Sequence, residues 1–250
     1  VGRRPNASVP GLDRTRVQFS DNGLTFAGDL CSYKRSRCVF GDRASSRDVF
    51  VIGDSHALNL IYGLDRLFAG AGIRGIAFYD HGCMFVDQTT RFKRGLADKR
   101  CRDNVREAYD YLAANNNPVI IAGNYAGYRN TMGPANAASP FRGTEDEYYD
   151  WLQQRLASSL EKLGADHRTI IIVKQAYSTG VNLAKCLSEP GHEQEIELQT
   201  NRCAPLTLAK VQEKYVAADR LIDSVTKPFP SILTIDPKIL FCTAEACTTA

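Results

Sequence analysis

Residues 48–57 read DVFVIGDSHA, and this stretch decides the fold. Asp48 to Gly53 is a short apolar run of the kind that forms a strand buried on both faces. After Ser55, apolar residues recur at helical spacing, namely Leu58, Leu60, Ile61, Leu64 and Leu67. The stretch therefore predicts a buried strand, a sharp turn and a helix from Ser55 to about Gly70.

The same alternation of strand and helix continues along the chain. Four further apolar runs predict strands: Ile73 to Tyr79, Pro118 to Gly123, Arg168 to Val173 and Ser231 to Ile235. Three amphipathic stretches predict helices: Arg102 to Asn115, Glu145 to Leu163 and Leu206 to Val225. This order is typical of a parallel sheet covered by helices. The sequence thus predicts an α/β fold with a small, doubly wound sheet of five strands.

The chain divides into two regions that differ in predicted secondary structure. Residues 1–47 contain Pro5, Pro10 and several glycines and serines, and we interpret them as an irregular linker and accessory segment. Residues 48–250 are long enough to bury the core of one α/β domain. Within that domain, Tyr177 to Pro205 is polar and too long for an ordinary connection, so we expect an excursion near the binding face.

Eight cysteines indicate an oxidising compartment. They fall as neighbours along the chain, which makes local pairing the simplest hypothesis: Cys31–Cys38, Cys83–Cys101, Cys186–Cys203 and Cys242–Cys247. Eight cysteines allow about 105 pairings, so the alternatives stay open. The short paired spacings of a structural zinc site are missing, and disulfides are therefore favoured over zinc. Disulfides persist in the periplasm, in secretory lumens or outside the cell.

Charge and hydropathy exclude several classes of protein. The formal net charge is only +3 and no nucleic-acid recognition motif occurs, so nucleic acid is not an expected partner. The densest basic stretch, Arg91 to Arg102, is interpreted as a solvated loop and helix start. No apolar run reaches the ~20 residues of a membrane span. The chain begins at Val1 without a signal-peptide pattern, so we expect an export signal or another segment upstream.

Three strand ends carry residues suited to stabilising a developing negative charge. Ser55 follows the first strand and begins a helix, so its N–H faces the ligand edge with the positive end of the helix dipole behind it. Gly82 follows the second strand and offers an unobstructed N–H, while Asn124 follows the third and offers a neutral amide donor. We expect a three-donor oxyanion hole with Ser55 as nucleophile. Alternatively, Asp54 or Ser55 only caps the helix.

Two tyrosines follow Asn124 along the chain. Tyr125 and Tyr128 could form an aromatic platform for a sugar ring. Aromatic residues near strand ends are as often packing residues, so both interpretations stay open at this point.

The three motifs together resemble those of the SGNH hydrolases, a family named for serine, glycine, asparagine and histidine. Gly53-Asp54-Ser55-His56 is similar to the first block, Gly82 to the second and Gly123-Asn124 to the third. The form VFVIGDSHA, the early cysteine pair and the late Asp236…Cys242…Cys247 arrangement look like the SGNH domains fused behind acyltransferase family 3 membrane proteins. The resemblance runs from about Cys31 to the end of the chain.

This resemblance implies a flavodoxin-like three-layer α/β/α fold with a five-stranded parallel sheet. It also implies an enzyme on the periplasmic face of the bacterial inner membrane, which transfers an acetyl group through a Ser55 acyl-enzyme to a surface glycan such as lipopolysaccharide O-antigen. The acetyl group would come ultimately from acetyl-CoA, through an N-terminal acyltransferase family 3 transmembrane domain in the same polypeptide. No metal or tightly bound cofactor is implied.

The family's last motif, an Asp-x-x-His that supplies the general base, does not occur in the 250 residues. Serine is a weak nucleophile without such a base. Either the motif follows Ala250 or another histidine replaces it. His81, on the predicted rim of the site, is the candidate substitute. We interpret His56 as a family feature, His167 as structural and His192 as part of a chance Glu-x-x-His pattern.

Two other functions stay open from the sequence. Transfer of the acyl group to water would make the same residues a carbohydrate esterase or deacetylase. The absence of Asp-x-x-His favours a non-catalytic glycan-binding module, whereas the intact set of Ser55, Gly82 and Asn124 favours catalysis.

Overall fold

The computed structural model describes residues 17–20, 23–26, 31, 36–176, 206–243 and 247. Its strands are β1 (Val17–Ser20), β2 (Gly23–Phe26), β3 (Arg37–Gly41), β4 (Asp48–Gly53), β5 (Arg74–Tyr79), β6 (Thr89–Lys93), β7 (Leu96–Ala97), β8 (Val119–Ala122), β9 (Met132–Pro134), β10 (Ile170–Val173) and β11 (Ile232–Ile235). Its helices are α1 (Ser55–Ala71), α2 (Lys99–Ala113), α3 (Glu145–Lys162), α4 (Leu208–Thr226) and α5 (Lys238–Phe241).

The central sheet has the predicted doubly wound topology. Its strand order is β11-β10-β8-β4-β5-β3, and the first five of these strands run parallel. In chain order, the parallel strands are arranged 2-1-3-4-5, which is the flavodoxin-like order. The predicted α/β class and five-stranded parallel sheet are confirmed.

Strand β4 explains why its sequence is a continuous apolar run. Successive side chains of a strand point to opposite faces, so Phe50 and Ile52 pack on one side of the sheet and Val51 on the other. Both sides are covered by helices, and all three residues are fully buried. An alternating polar pattern would place a polar group in one of the two cores.

Helices cover both faces of the sheet and complete three layers. Among the described elements, α1 packs on one face through Ala57, Ile61 and Phe68. Helices α2, α3 and α4 pack on the other face with buried apolar residues such as Val105, Leu156, Ile222 and Val225. None of the helices described is both long and apolar enough to cross a membrane.

Two regions before the third parallel strand differ from the prediction. The segment predicted to be irregular contains the antiparallel pair β1 and β2. It also contains β3, which pairs antiparallel with β5 as the sixth strand of the sheet. The basic stretch predicted as a loop contains a hairpin of β6 and β7, whose turn places Arg94 and Gly95 at positive φ. Helix α2 begins at Lys99, capped by the Asp98 side chain, rather than at Arg102. The boundary at residue 48 between two domains stays a prediction.

Three of the four predicted disulfides are present. The bonds Cys31–Cys38, Cys83–Cys101 and Cys242–Cys247 connect cysteines that are neighbours along the chain. Cys186 and Cys203, like the whole of the predicted excursion from Tyr177 to Pro205, lie outside the described residues. The Cys31–Cys38 bond anchors the start of β3, and the Cys83–Cys101 bond joins the loop after β5 to α2.

Candidate active site

The candidate site lies where the strand order of the sheet reverses. Strands β4 and β8 are neighbours in the sheet, although β5 comes between them in the chain, and ligands bind at such switch points. Gly53 is paired with Tyr79 on one side and with Ala122 on the other. Ser55 and Asn124 lie two residues beyond this row, and Gly82 lies three beyond it. The three predicted donors therefore follow adjacent strand ends.

Gly53 allows the close approach of β4 and β8 just before the turn. Its φ is +150°, a conformation that residues with a side chain rarely adopt. A Cβ atom at this position would lie 1.7 Å from the carbonyl oxygen of Ala122. The strand can therefore turn sharply into α1 here only with glycine.

Ser55 is the first residue of α1 and is partly exposed. Its position puts the positive end of the helix dipole at the serine. Within the part of the chain that the structure describes, its hydroxyl forms no hydrogen bond with another side chain or with a carbonyl oxygen. The hydroxyl is thus available to a substrate, and the helix is capped by its neighbour.

Asp54 is that neighbour, and it connects three parts of the site. The residue is 0% exposed. Its Oδ1 atom accepts hydrogen bonds from His56 N over 2.7 Å and lies 3.1 Å from His56 Nδ1. Its Oδ2 atom accepts hydrogen bonds from Asn124 N over 2.7 Å and from the Tyr128 hydroxyl over 2.8 Å. The sequence left open whether Asp54 or Ser55 caps the helix, and in the structure the cap is Asp54. Asp54 also connects the loop after β8 to the start of α1.

Tyr125 and Tyr128 are packing residues rather than a sugar platform. They are 1% and 8% exposed. Burial and the nearby charge of Asp54 raise the pKa of Tyr128 far above its ordinary value, so its hydroxyl keeps its proton and donates to Asp54. Burial likewise raises the pKa of Tyr125.

The side chain of Asn124 is oriented by a residue that the sequence analysis did not select. Gln175, two residues after β10, donates from Nε2 to Asn124 Oδ1 over 2.7 Å. The other end of the Gln175 amide accepts a hydrogen bond from Ala126 N over 2.9 Å, and the residue is only 6% exposed. Because Oδ1 is occupied, Asn124 presents Nδ2, which makes no hydrogen bond to any described residue. Nδ2 lies beside Gly127, where a Cβ atom would be 2.2 Å from it, and this amide group can donate a hydrogen bond to an oxyanion.

The loop that carries Gly82 is held from several sides. Asp80 N donates to Gly53 O over 3.3 Å, which ties the loop to the end of β4. Gly82 has a φ of +71°, and a Cβ atom there would lie 2.7 Å from Arg91 Nη1. That same guanidinium donates to the carbonyl of His81 and, from Nε, to Asp98 Oδ2 over 3.0 Å. The disulfide at the next residue fixes the loop to α2.

The charge of Asp98 supports this arrangement. Burial alone would raise its pKa, but hydrogen bonds from Arg91 and Lys93 and the Arg91 charge outweigh burial and lower the pKa to about 2. Asp98 also accepts hydrogen bonds from the backbone at the start of α2. The basic stretch is therefore partly buried structure that supports the Gly82 loop.

None of the three described histidines is hydrogen-bonded to the Ser55 hydroxyl. His56 is held by Asp54, and His81 is exposed on the rim beside Gly82. His167, which we interpreted as structural, lies at the opposite edge of the sheet and lines a cavity between the ends of α2 and α3. His192 lies outside the described residues. In the described part of the chain there is no cluster of three or more potential metal ligands.

Three comparisons relate the chain to known proteins. The model of one family, described as the SGNH domain fused to AT3 domains, matches residues 21–250. No curated protein sequence matches the chain. Among solved structures, the chain is similar to the periplasmic domain of a lipopolysaccharide acetyltransferase from Salmonella ser. Paratyphi A. The TM-score is 0.55 and the identity 14%, over 83% of this chain and 72% of that one. At this identity the likeness shows a shared fold.

Proposed function

The chain belongs to the family of SGNH domains that are fused to AT3 domains, and on this premise we propose that it is a serine-dependent O-acyltransferase domain. The proposed reaction moves an acetyl group through a Ser55 acyl-enzyme to a hydroxyl of a bacterial surface glycan. The observation that carries this proposal is that Ser55 and the Asn124 amide, which Gln175 orients, follow the ends of the adjacent strands β4 and β8.

In the proposed first step, the Ser55 oxygen attacks the carbonyl carbon of the acyl donor and its proton passes to a general base. The negative charge that forms on the carbonyl oxygen accepts hydrogen bonds from Ser55 N, Gly82 N and Asn124 Nδ2. The donor's leaving group then departs with a proton from the base. In the second step a sugar hydroxyl gives its proton to the base and its oxygen attacks the acyl-enzyme, the bond between the acyl carbon and the Ser55 oxygen breaks, and the base returns the proton to Ser55.

The general base of this scheme is the histidine of an Asp-x-x-His motif, which the family resemblance implies. The sequence encoded after Ala250 tests this part of the proposal. An Asp-x-x-His there would supply the base, and its absence would shift the role to His81, the histidine beside Gly82.

The donor and the compartment are proposed from the family and from the disulfides. We propose that an AT3 membrane domain in the same polypeptide delivers the acetyl group, ultimately from acetyl-CoA. The three disulfides support a periplasmic location, because such bonds persist in oxidising compartments. The similar Salmonella structure, a periplasmic domain of a lipopolysaccharide acetyltransferase, supports a glycan acceptor of that type.

Ester turnover tests the role of Ser55. The protein and its Ser55→Ala variant are incubated with p-nitrophenyl acetate, and acetate release and acetylation of the protein are measured. Ser46→Ala, on the exposed loop before β4, is the matched control. We expect release and acetylation in the wild type and in Ser46→Ala only.

The acceptor decides between transferase and esterase. Added glycan should take up the acetyl group if the domain is a transferase, whereas release to water that is unaffected by glycan would show an esterase or deacetylase. If the full-length protein with its membrane domain acetylates no glycan and Ser55→Ala changes nothing, the catalytic proposal is wrong. A non-catalytic glycan-binding module would then remain.

A further inference from the structure

A small cavity of about 100 Å³ lies at the carboxyl ends of β8 and β10, against the first turns of α1. Its walls include His56, Asn59 and Leu60 from the helix and Ala122 and Val173 from the two strands. Asn59 is exposed, while Ala122 is buried. The cavity therefore runs from the surface towards the sheet.

The wall of the cavity includes the chain neighbours of both proposed catalytic residues, namely His56 next to Ser55 and Gly123 next to Asn124. Asn59 lies one helical turn after Ser55, and residues four apart lie on the same side of a helix, with side chains leaning towards its N-terminus. On the opposite wall, Gly123 directly precedes Asn124, the proposed oxyanion donor. A group attached to Ser55 with its carbonyl oxygen at Asn124 would thus have the cavity beside it.

The two ionisable side chains of the wall are already paired. His56 Nδ1 lies 3.1 Å from Asp54 Oδ1, and Lys174 Nζ lies 2.6 Å from Asp223 Oδ1. The remaining wall is mainly aliphatic, from Leu60, Ala122 and Val173. A cavity of this kind suits a small, uncharged, apolar group rather than an anion or a sugar ring.

We propose that this cavity binds the hydrocarbon part of the acyl group carried by Ser55 and limits its length. This inference rests on the proposed function of Ser55 as the acylated residue. A cavity of about 150 Å³ holds benzene, so one of about 100 Å³ holds roughly four carbon atoms. The enzyme should accept acetyl to pentanoyl groups and reject longer straight chains.

Chain-length dependence is the first test. With p-nitrophenyl acetate, propionate and butyrate, each added methylene that enters the cavity should raise kcat/KM about fourfold. With the hexanoate ester, kcat/KM should fall at least about tenfold below that for butyrate, because the chain no longer fits. A profile that rises steadily through hexanoate would overturn the proposal.

Variants of Leu60 test whether this cavity sets the limit. Leu60→Ala should move the best substrate to a longer chain, and Leu60→Phe should remove activity on butyrate while keeping activity on acetate. Leu67→Ala changes the same residue type on the same helix at a position that is 64% exposed, and its profile should match the wild type. Unchanged profiles in both Leu60 variants would contradict the assignment.

Binding without turnover separates this inference from the proposed function. In Ser55→Ala protein with labelled methyl groups, methyl acetate and methyl butyrate should shift the resonances of Leu60 and Val173 saturably, and methyl hexanoate should not. Leu67 is again the control. Shifts in this experiment together with no Ser55-dependent turnover would keep the cavity as a binding site and reject Ser55 as the nucleophile. No saturable shift at either methyl group would reject the cavity.

Discussion

Gln175 Nε2 donates a hydrogen bond to Asn124 Oδ1 over 2.7 Å, and Gln175 follows β10, the strand next to the one that Asn124 follows. An asparagine amide can present either its oxygen or its nitrogen to a substrate, and only the nitrogen can stabilise an oxyanion. The backbone N–H of Ala126 fixes the glutamine in turn. The direction of the Asn124 dipole is therefore set by the end of β10.

Gln175→Glu should reverse the Asn124 amide. A carboxylate at 175 accepts hydrogen bonds and cannot donate to Oδ1, so Nδ2 would turn towards it and away from the substrate. We expect kcat for ester turnover to fall about 100-fold, the loss typical of one oxyanion donor, with little change in KM.

Gln154→Glu is the control for the added charge, because Gln154 is exposed on α3. It should leave kcat unchanged. Equal kcat in Gln175→Glu and in the wild type would show that the glutamine does not position Asn124.

Tyr128→Phe should destabilise the fold through Asp54. The variant removes one donor to a buried carboxylate, and hydrogen bonds to charged groups contribute about 2 kcal/mol each. Urea unfolding should therefore show a loss of about that size. Tyr148→Phe is the matched control, because the buried Tyr148 hydroxyl has no hydrogen-bond partner among the described residues. A similar loss in both variants would mean that packing, rather than the bond to Asp54, is responsible.

Removal of the Cys83–Cys101 disulfide should reduce turnover as well as stability. The bond spans 18 residues and Cys31–Cys38 spans 7, so their removal should cost about 3 and about 2 kcal/mol by the chain-entropy estimate. Only the Cys83–Cys101 bond adjoins Gly82. The Cys83→Ala/Cys101→Ala variant should therefore lose kcat at a temperature where both variants stay folded, and Cys31→Ala/Cys38→Ala should not. Equal kcat would mean that Arg91 and Asp80 hold the loop without the bond.

Asp98 should contribute a defined acid sensitivity. Its pKa lies at about 2 in the folded protein, below the ordinary value of 3.8. A carboxyl group with a lowered folded pKa stabilises the fold above its ordinary pKa, and this contribution is lost as the pH falls from about 4 towards 2, on the order of 2 kcal/mol in total.

Urea unfolding at pH 5 and near pH 2 measures this loss. Asp98→Asn keeps a capping side chain but does not titrate. Between pH 5 and pH 2 its free energy of unfolding should therefore fall by about 2 kcal/mol less than that of the wild type. Asp150→Asn, at an exposed position of α3, should behave like the wild type. An identical pH dependence in Asp98→Asn would show that the Arg91–Asp98 pair contributes nothing.

The parallel sheet was predictable because each of its strands is a separate apolar run. The run from Val49 to Ile52 has no polar face, so helices were expected to cover both of its sides. The edge strand β3 was not predictable in the same way, because its burial alternates and its partner β5 is distant in the sequence. The β6–β7 hairpin was missed because its charged residues suggested a solvated surface, whereas Arg91 is held by Asp98.

In the site, position after a buried strand was the useful signal for Ser55, Gly82 and Asn124. The same signal exists for Gln175, which follows β10, and it would have selected that residue as well. The four contacts of Asp54 could not be read from the sequence, since they join residues up to 74 positions apart. Which side chains meet around a turn depends on the register of the strands, and the register could not be predicted from the sequence.

Gly53 has a consequence for how this family of sites can change over evolutionary time. A side chain at this position would overlap the carbonyl of Ala122. No substitution of Gly53 would therefore keep the backbone conformation around the serine. Leu60 and Val173, by contrast, pack at the edge of the core and line the small cavity, where a change of one methyl group leaves the backbone in place. We therefore expect related proteins to differ in the length of the acyl group that the cavity accepts, whereas the backbone turn at Gly53 should stay the same.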